Sequence, residues 1–261
     1  MTAPTTPVEQ LLALGCDFTR HHDALWATTL LLGPDPAGTL TRHIVLTRSL
    51  ARDALAISDT LQTMPRLHRS PAVKACVERT IQLSALATLA DGHLLNAIDI
   101  LQEAAQEGER ARRGAALLEA GRRTTLAGRL TSLGNKDCLA TARLIARELH
   151  LQRIGPGHLA PALSPARLTA LEAIAAGRVA VNRFLNKPYT DEIQVSISTI
   201  RSLEGHGLAR HEPSTPSLHE ERVHLTPEGC LALAGHFAAA LPPGIPACAT
   251  APSPYDAKAN T

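Results

Sequence analysis

The chain has 261 residues, 44% hydrophobic and only 2% aromatic, with a formal net charge of +2. This is enough for one large domain or two modest ones with real cores. Such an aromatic-poor core favours helix, and the near-neutral charge excludes a globally basic nucleic-acid coat, so any DNA-binding charge must be local. The five cysteines, Cys16, Cys76, Cys138, Cys230 and Cys248, are scattered and never form a C-x-x-C pair. They argue against a disulfide framework or a zinc site. No basic stretch followed by an apolar run opens the chain, so no signal peptide is expected. The longest apolar run, around Ala24 to Leu32, is broken by Thr28 and Thr29 and is too short to span a bilayer. A cytoplasmic protein is expected.

In chain order, Thr6-Pro7-Val8-Glu9 combines a capping hydroxyl, proline at the first helical position and a glutamate three residues after the cap. Ser70-Pro71, Ser164-Pro165 and Thr226-Pro227 repeat the cap-then-proline signal. A first helix is expected from about Pro7 to Leu32, stopped by Gly33-Pro34-Asp35-Pro36. A second runs from about Thr39 to Thr63, with Ile44, Leu50, Leu55 and Leu61 at helical spacing. A third runs from Ser70 toward Gln106, and a fourth from Glu109 to Leu133, stopped by Gly134-Asn135. A fifth runs from Lys136 to Gln152, before Gly155-Pro156-Gly157. Short links between long helices imply an antiparallel bundle over residues 1–155. Phe18 and Trp26 are expected to anchor its core. Residues 156–240 are expected to form a small α+β module and residues 241–261, with five prolines, a disordered tail. The fold class is therefore mostly α.

Within the module, a helix is expected over 165–177. Short strands follow at Val179 to Val181 and Ile193 to Val195. Ser196 caps the next helix, with Ile197, Ile200, Leu203 and Glu204 on one face and Ser198, Arg201, Ser202 and Gly205 on the other. Gly207 ends it where a left-handed backbone is needed. Leu208 to Glu212 and Arg222 to Leu225 alternate as a two-stranded ribbon does. Thr226-Pro227-Glu228-Gly229 starts a last helix carrying Leu231, Leu233 and Phe237.

The run Ser196, Thr199, Leu203, Gly207, Leu208 and Arg210, followed by Leu225-Thr226-Pro227-Glu228-Gly229, resembles winged-helix transcriptional regulators of the MarR and PadR type. The resemblance is confined to the C-terminal region. It implies a recognition helix (residues 196–206) entering the major groove and a wing (residues 208–225) touching the sugar-phosphate backbone. Carried over, it assigns DNA contacts to Ser196, Ser198, Thr199, Arg201 and Ser202, with Arg201 suited to a guanine edge. Arg210 and Arg222 would flank the wing, with His219 and His224 as weaker contributors. The expected partner is double-stranded DNA, bound by a homodimer paired through the bundle. No catalytic residue, cofactor or metal is assigned. Residues 165–229 hold seven Lys/Arg and eight Asp/Glu, including Glu212, Glu220 and Glu221 on the wing. This leaves open a scaffold protein whose winged helix docks another protein.

Other clusters read as structural. Residues 109–153 carry ten Lys/Arg and four Asp/Glu, but Arg112, Arg113, Arg122, Arg123 and Arg129 do not fall on one helical stripe and read as a solvated surface. His21 and His22 point about 100° apart on a helix and do not share a metal ion. His93, Asn96 and Asp99 lie on one helix face, and a bundle-core metal would need partners such as His43, Asp53 and Asp59. A helix start near Cys138 would lower its pKa, although a plain buried cysteine is the default.

Overall fold

The structure is a computed structural model that describes residues 6–30, 35–107, 110–154, 163–182, 188–189, 195–213 and 220–239. Four long helices, α1 (Pro7–Leu30), α2 (Pro36–Thr63), α3 (Pro71–Glu107) and α4 (Arg110–Leu151), come first. They are followed by α5 (Pro165–Ala175), β1 (Ala180–Asn182), β2 (Pro188–Tyr189), α6 (Ile197–Gly205), β3 (Ala209–Pro213), β4 (Glu220–Leu225) and α7 (Pro227–Ala239). The fold is a mostly helical one: an antiparallel helical bundle followed by a small α+β module. No helix among the described residues is long and apolar enough to cross a membrane.

The cap-then-proline signal marks the starts of α1, α3, α5 and α7. The hydroxyls of Thr6, Ser70, Ser164 and Thr226 accept the amides of Glu9, Val73, Arg167 and Gly229. The same device opens α2, where the Asp35 carboxylate accepts the Gly38 amide at 2.9 Å. Helix α2 therefore starts at Pro36, three residues before the expected Thr39: Asp35-Pro36 begins a helix as well as following one.

Helix pairing is antiparallel. His21 and Thr28 of α1 meet Thr47 and His43 of α2 at 2.8 and 2.7 Å. His22 of α1 donates to the Gly128 carbonyl of α4 at 2.8 Å. The Cys76 thiol of α3 points at the Thr141 carbonyl of α4.

The stop expected at Gly134-Asn135 does not occur. Helix α4 runs unbroken for 42 residues, about 63 Å at 1.5 Å per residue. Gly134 is a packing residue: a Cβ placed there falls 2.7 Å from Phe18 Cε1, so its missing side chain lets α1 approach. Asn135 turns inward. Its Nδ2 donates to the Gly15 carbonyl, Thr19 Oγ1 and the Ala175 carbonyl at 3.0, 2.7 and 2.8 Å, joining α4, α1 and α5. Cys138 is consequently in the middle of a helix and fully buried, and burial pushes its thiol well above the ordinary range, opposite to the expected direction.

One buried cluster runs from Leu11 and Phe18 (α1) through Ile57 (α2), Leu83 (α3) and Ile145 (α4) to Leu171, Ile200, Val223 and Leu233 of the module. A second, formed by Leu25, Leu40, Leu94, Ile98, Ala120 and Ala127, lies toward the loop between α3 and α4. Bundle and module thus share a core. Phe18 is fully buried, but Trp26 is 48% exposed, against expectation. Eight residues turn a helix by about 80° past two full turns, which carries Trp26 off the face held by Phe18 and Leu25. Leu55 and Leu231 are likewise outside the core.

The module sheet has the order β2-β1-β4-β3 with every pairing antiparallel. The first expected strand corresponds to β1. The partner that β1 finds is Pro188–Tyr189 rather than a strand at Ile193 to Val195. Ile193 lies outside the described residues, and Val195 is a buried irregular residue before the cap of α6. The tail at 241–261 also lies outside the described residues.

Candidate nucleic-acid interface

Helix α6 starts at Ser196, whose Oγ accepts the Thr199 amide at 3.1 Å. The Ser198 and Thr199 hydroxyls lie 2.9 and 2.7 Å from the same oxygen, so three hydroxyls gather at the positive end of the helix. Ile200 and Leu203 are fully buried and fix the other face. Ser198 and Arg201 are exposed, Ser202 is half-buried, and Arg201 has no ion pair among the described residues.

Gly207, at φ +69°, supports the turn into β3, and its carbonyl accepts the Thr226 hydroxyl at 2.6 Å. The Thr226 amide donates to the Leu208 carbonyl at 3.2 Å. Gly229 packs so closely on that carbonyl that a Cβ would overlap it. The glycine closing the Leu-Thr-Pro-Glu-Gly run is therefore needed where α7 leaves the ribbon.

Ribbon β3/β4 pairs Arg210 with His224 and Glu212 with Arg222 across the strands. Its charges face two ways. Arg210 is exposed and hydrogen-bonds its neighbour Glu212 at 2.7 Å. Glu212 also receives a two-pronged contact from Arg20 of α1, at 2.7 and 3.0 Å. Burial disfavours the Glu212 carboxylate, but the hydrogen bonds and charge of Arg20, with His224 and Arg210, hold its pKa down at about 2.

Arg222 points toward the bundle. Its Nε and Nη2 both donate to Asp23 of α1 at 2.8 Å, and its Nη1 to the Gly177 carbonyl at 2.7 Å. Its fork is filled by protein. His224 is buried, 3.8 Å from Glu212, and has no outward surface, while His219 lies outside the described residues. The structure thus gathers Ser196, Ser198 and Thr199 at one helix end, with Arg201 and Ser202 further along α6. Arg210 lies on the exposed side of the ribbon and Arg222 in the seam with α1.

Two of the wing carboxylates, Glu212 and Glu221, are engaged within the protein. Glu212 neutralises Arg20, and Glu221 lies 3.5 Å from His211, which also meets Glu204 at 2.9 Å. Arg20 and Asp23 are the residues that composition could not single out. Their partners lie 192 and 199 positions away, and no local pattern marks such pairs.

Because α4 is continuous, Arg122, Arg129, Lys136 and Arg143 are exposed at seven-residue spacing along one face, a stripe hidden when the helix is divided at Gly134. Two members are paired, Arg122 with Glu119 and Arg143 with Glu172.

The histidines do not converge. His21 and His43 are buried, 5.6 Å apart between ring centres, and each presents its Nε2 to a threonine whose own hydroxyl donates to a helix carbonyl. Both Nε2 atoms are therefore donors, the rings are neutral, and both Nδ1 atoms lack partners. Burial drives the His21 pKa down to about 3. Asp53, Asp59, Asn96 and Asp99 are exposed. Among the described residues no three His, Cys, Asp or Glu side chains form a metal-binding group. Comparison with protein-family models, curated proteins and solved structures finds no match to the chain.

Proposed function

We propose that the protein is a DNA-binding transcriptional regulator that reads duplex DNA with α6 and braces it with the β3/β4 ribbon. The observation carrying this reading is the exposed polar face of α6. Arg201 is free of ion pairs among the described residues, beside a helix start where three hydroxyls gather. A planar guanidinium suits the paired acceptors of guanine, and hydroxyls at a helix N-terminus suit phosphate. The order of α6, glycine turn, ribbon and α7 supports the likeness to a winged helix. The internal pairing of Glu212 removes a repulsive charge from the wing surface.

The contact set is then Ser196, Ser198, Thr199, Arg201, Ser202 and Arg210. Arg222 serves in holding the module to the bundle. Pairing of two chains through the bundle accompanies this reading, supported by exposed apolar side chains at Val45, Leu46 and Leu89.

The test is salt-dependent binding to random duplex DNA, with light scattering on the same samples for the oligomeric state. Binding should weaken steeply with salt, with a log–log slope of about −0.9 for each phosphate contacted. Arg201→Ala combined with Arg210→Ala should lower affinity by about tenfold or more. No binding at low salt would overturn the proposal and leave a protein-docking scaffold as the better reading.

A further inference from the structure

Cys16 of α1 and Cys230, in the first turn of α7, come from nearly opposite ends of the chain and meet in the core. Their side chains hydrogen-bond each other, and Cys16 is also hydrogen-bonded to His224 of β4. Both cysteines belong to the buried cluster shared by bundle and module, at 3% and 4% exposure, and both are free thiols. Behind His224 stands Glu212, 3.8 Å from its Nε2, and Arg20 holds Glu212 with two hydrogen bonds. Cys16 and Arg20 lie one turn apart on α1.

This surrounding treats the two sulfurs differently. The hydrogen bond with Cys230 lowers the Cys16 pKa most; burial opposes it, and His224 and Arg20 add to it, leaving the thiol well below its ordinary range. The same hydrogen bond, together with burial, pushes Cys230 up, so it keeps its proton. A nucleophilic sulfur thus touches a protonated one, the arrangement that thiol oxidation to a disulfide needs. Cys76 and Cys138 are buried as well, but neither hydrogen-bonds a thiol among the described residues, and burial pushes both up.

We propose that Cys16 and Cys230 are an oxidation-sensitive dithiol that hydrogen peroxide converts to a disulfide between α1 and α7. The Cys16 sulfur attacks one peroxide oxygen, the O–O bond breaks, and water leaves, giving a sulfenic acid on Cys16. The Cys230 sulfur then attacks the Cys16 sulfur. The S–S bond forms, the S–O bond breaks, and the Cys230 proton departs with the oxygen as a second water. Two electrons pass from the thiol pair to one peroxide, and a dithiol reductant reverses the bond. Peroxide is small and uncharged, which suits a buried pair. The bond closes most of the chain into one loop and fixes the module to the bundle. This goes beyond the nucleic-acid reading and does not depend on what α6 binds.

The test is peptide mapping by mass spectrometry. The full chain is reduced, exposed to hydrogen peroxide, then alkylated with N-ethylmaleimide in denaturant without reductant. A peptide pair joined through Cys16 and Cys230 is expected, released by dithiothreitol, with Cys76 and Cys138 alkylated. The oxidised chain should melt about 5 °C or more above the reduced one. In Cys230→Ser the second step is blocked, and dimedone should trap Cys16 as its sulfenic acid. In Cys16→Ser, Cys230 should stay reduced. The map of the parent chain decides the question without the variants. The proposal is overturned if both thiols of the parent stay reduced under peroxide, if Cys16 is oxidised without joining Cys230, or if the bond forms and the melting temperature does not rise.

Discussion

Two glycines of the same helix respond in opposite directions to the same substitution. Gly121 has open space where a Cβ would sit, whereas at Gly134 the added atom falls 2.7 Å from Phe18 Cε1, against a ring that is fully buried. Alanine in a helix interior is favoured over glycine by about 1 kcal/mol, so Gly121→Ala should stabilise by about 0.5 to 1 kcal/mol. Gly134→Ala makes the same gain but overpacks the α1/α4 contact, at about 1 to 3 kcal/mol. Its net effect is a loss of up to about 2 kcal/mol, and the propensity term cancels in the difference between the two variants. The midpoints should therefore straddle the parent, at about 2 to 4 °C per kcal/mol for a chain of this size. Urea unfolding of both variants, followed by far-ultraviolet circular dichroism, measures the difference directly. Equal stabilisation by the two substitutions would refute the close approach of α1 to α4 at Gly134.

Two further outcomes follow from the buried polar groups. His21 is held neutral by burial, with its pKa at about 3 against about 6.5 in an unfolded chain. Between those values the unfolded chain binds the extra proton, so stability falls as pH falls below about 6.5. This group alone removes about 2 kcal/mol by pH 5, and the lowered His43 acts in the same direction. Urea midpoints at pH 7 and 5 should separate less in His21→Leu; an unchanged separation would contradict the assignment. At the seam, Asp23→Ala and Arg222→Ala should each cost about 1 to 3 kcal/mol, and the double variant should cost less than their sum by about 1 kcal/mol. Strict additivity in that cycle would show that the two groups do not act as a pair.

Much of the architecture was legible because helix starts are local events. Thr6, Ser70, Ser164 and Thr226 each need only a hydroxyl and the amides three residues on, and each opened a helix as expected. Asp35 carries the same signal, but Gly33-Pro34 beside it punctuates more strongly and reads as the stop of the preceding helix. Gly134-Asn135 misled for the opposite reason. Its meaning lies in Phe18, Gly15 and Ala175, contacts that exist only after the helices pack. The candidate interface divides along the same line. Ser196, Ile200, Leu203 and Gly207 follow from helical period, cap and turn. The inward commitment of Arg222 and His224 depends on α1, nearly two hundred residues earlier.

The seam between α1 and the ribbon has a consequence at long range. Arg20 and Asp23 lie one turn apart on α1, and Glu212 and Arg222 face each other across the strands. Each positive group meets a negative one, so the four charges alternate in sign around a small square with no net charge. The field of such an arrangement fades with distance much faster than that of a single ion. To an approaching polyanion the seam is nearly silent, although it holds two arginines. The field felt at a distance then comes from cations elsewhere, and among the described residues Arg201 on α6 and Lys136 on α4 have no ion pair.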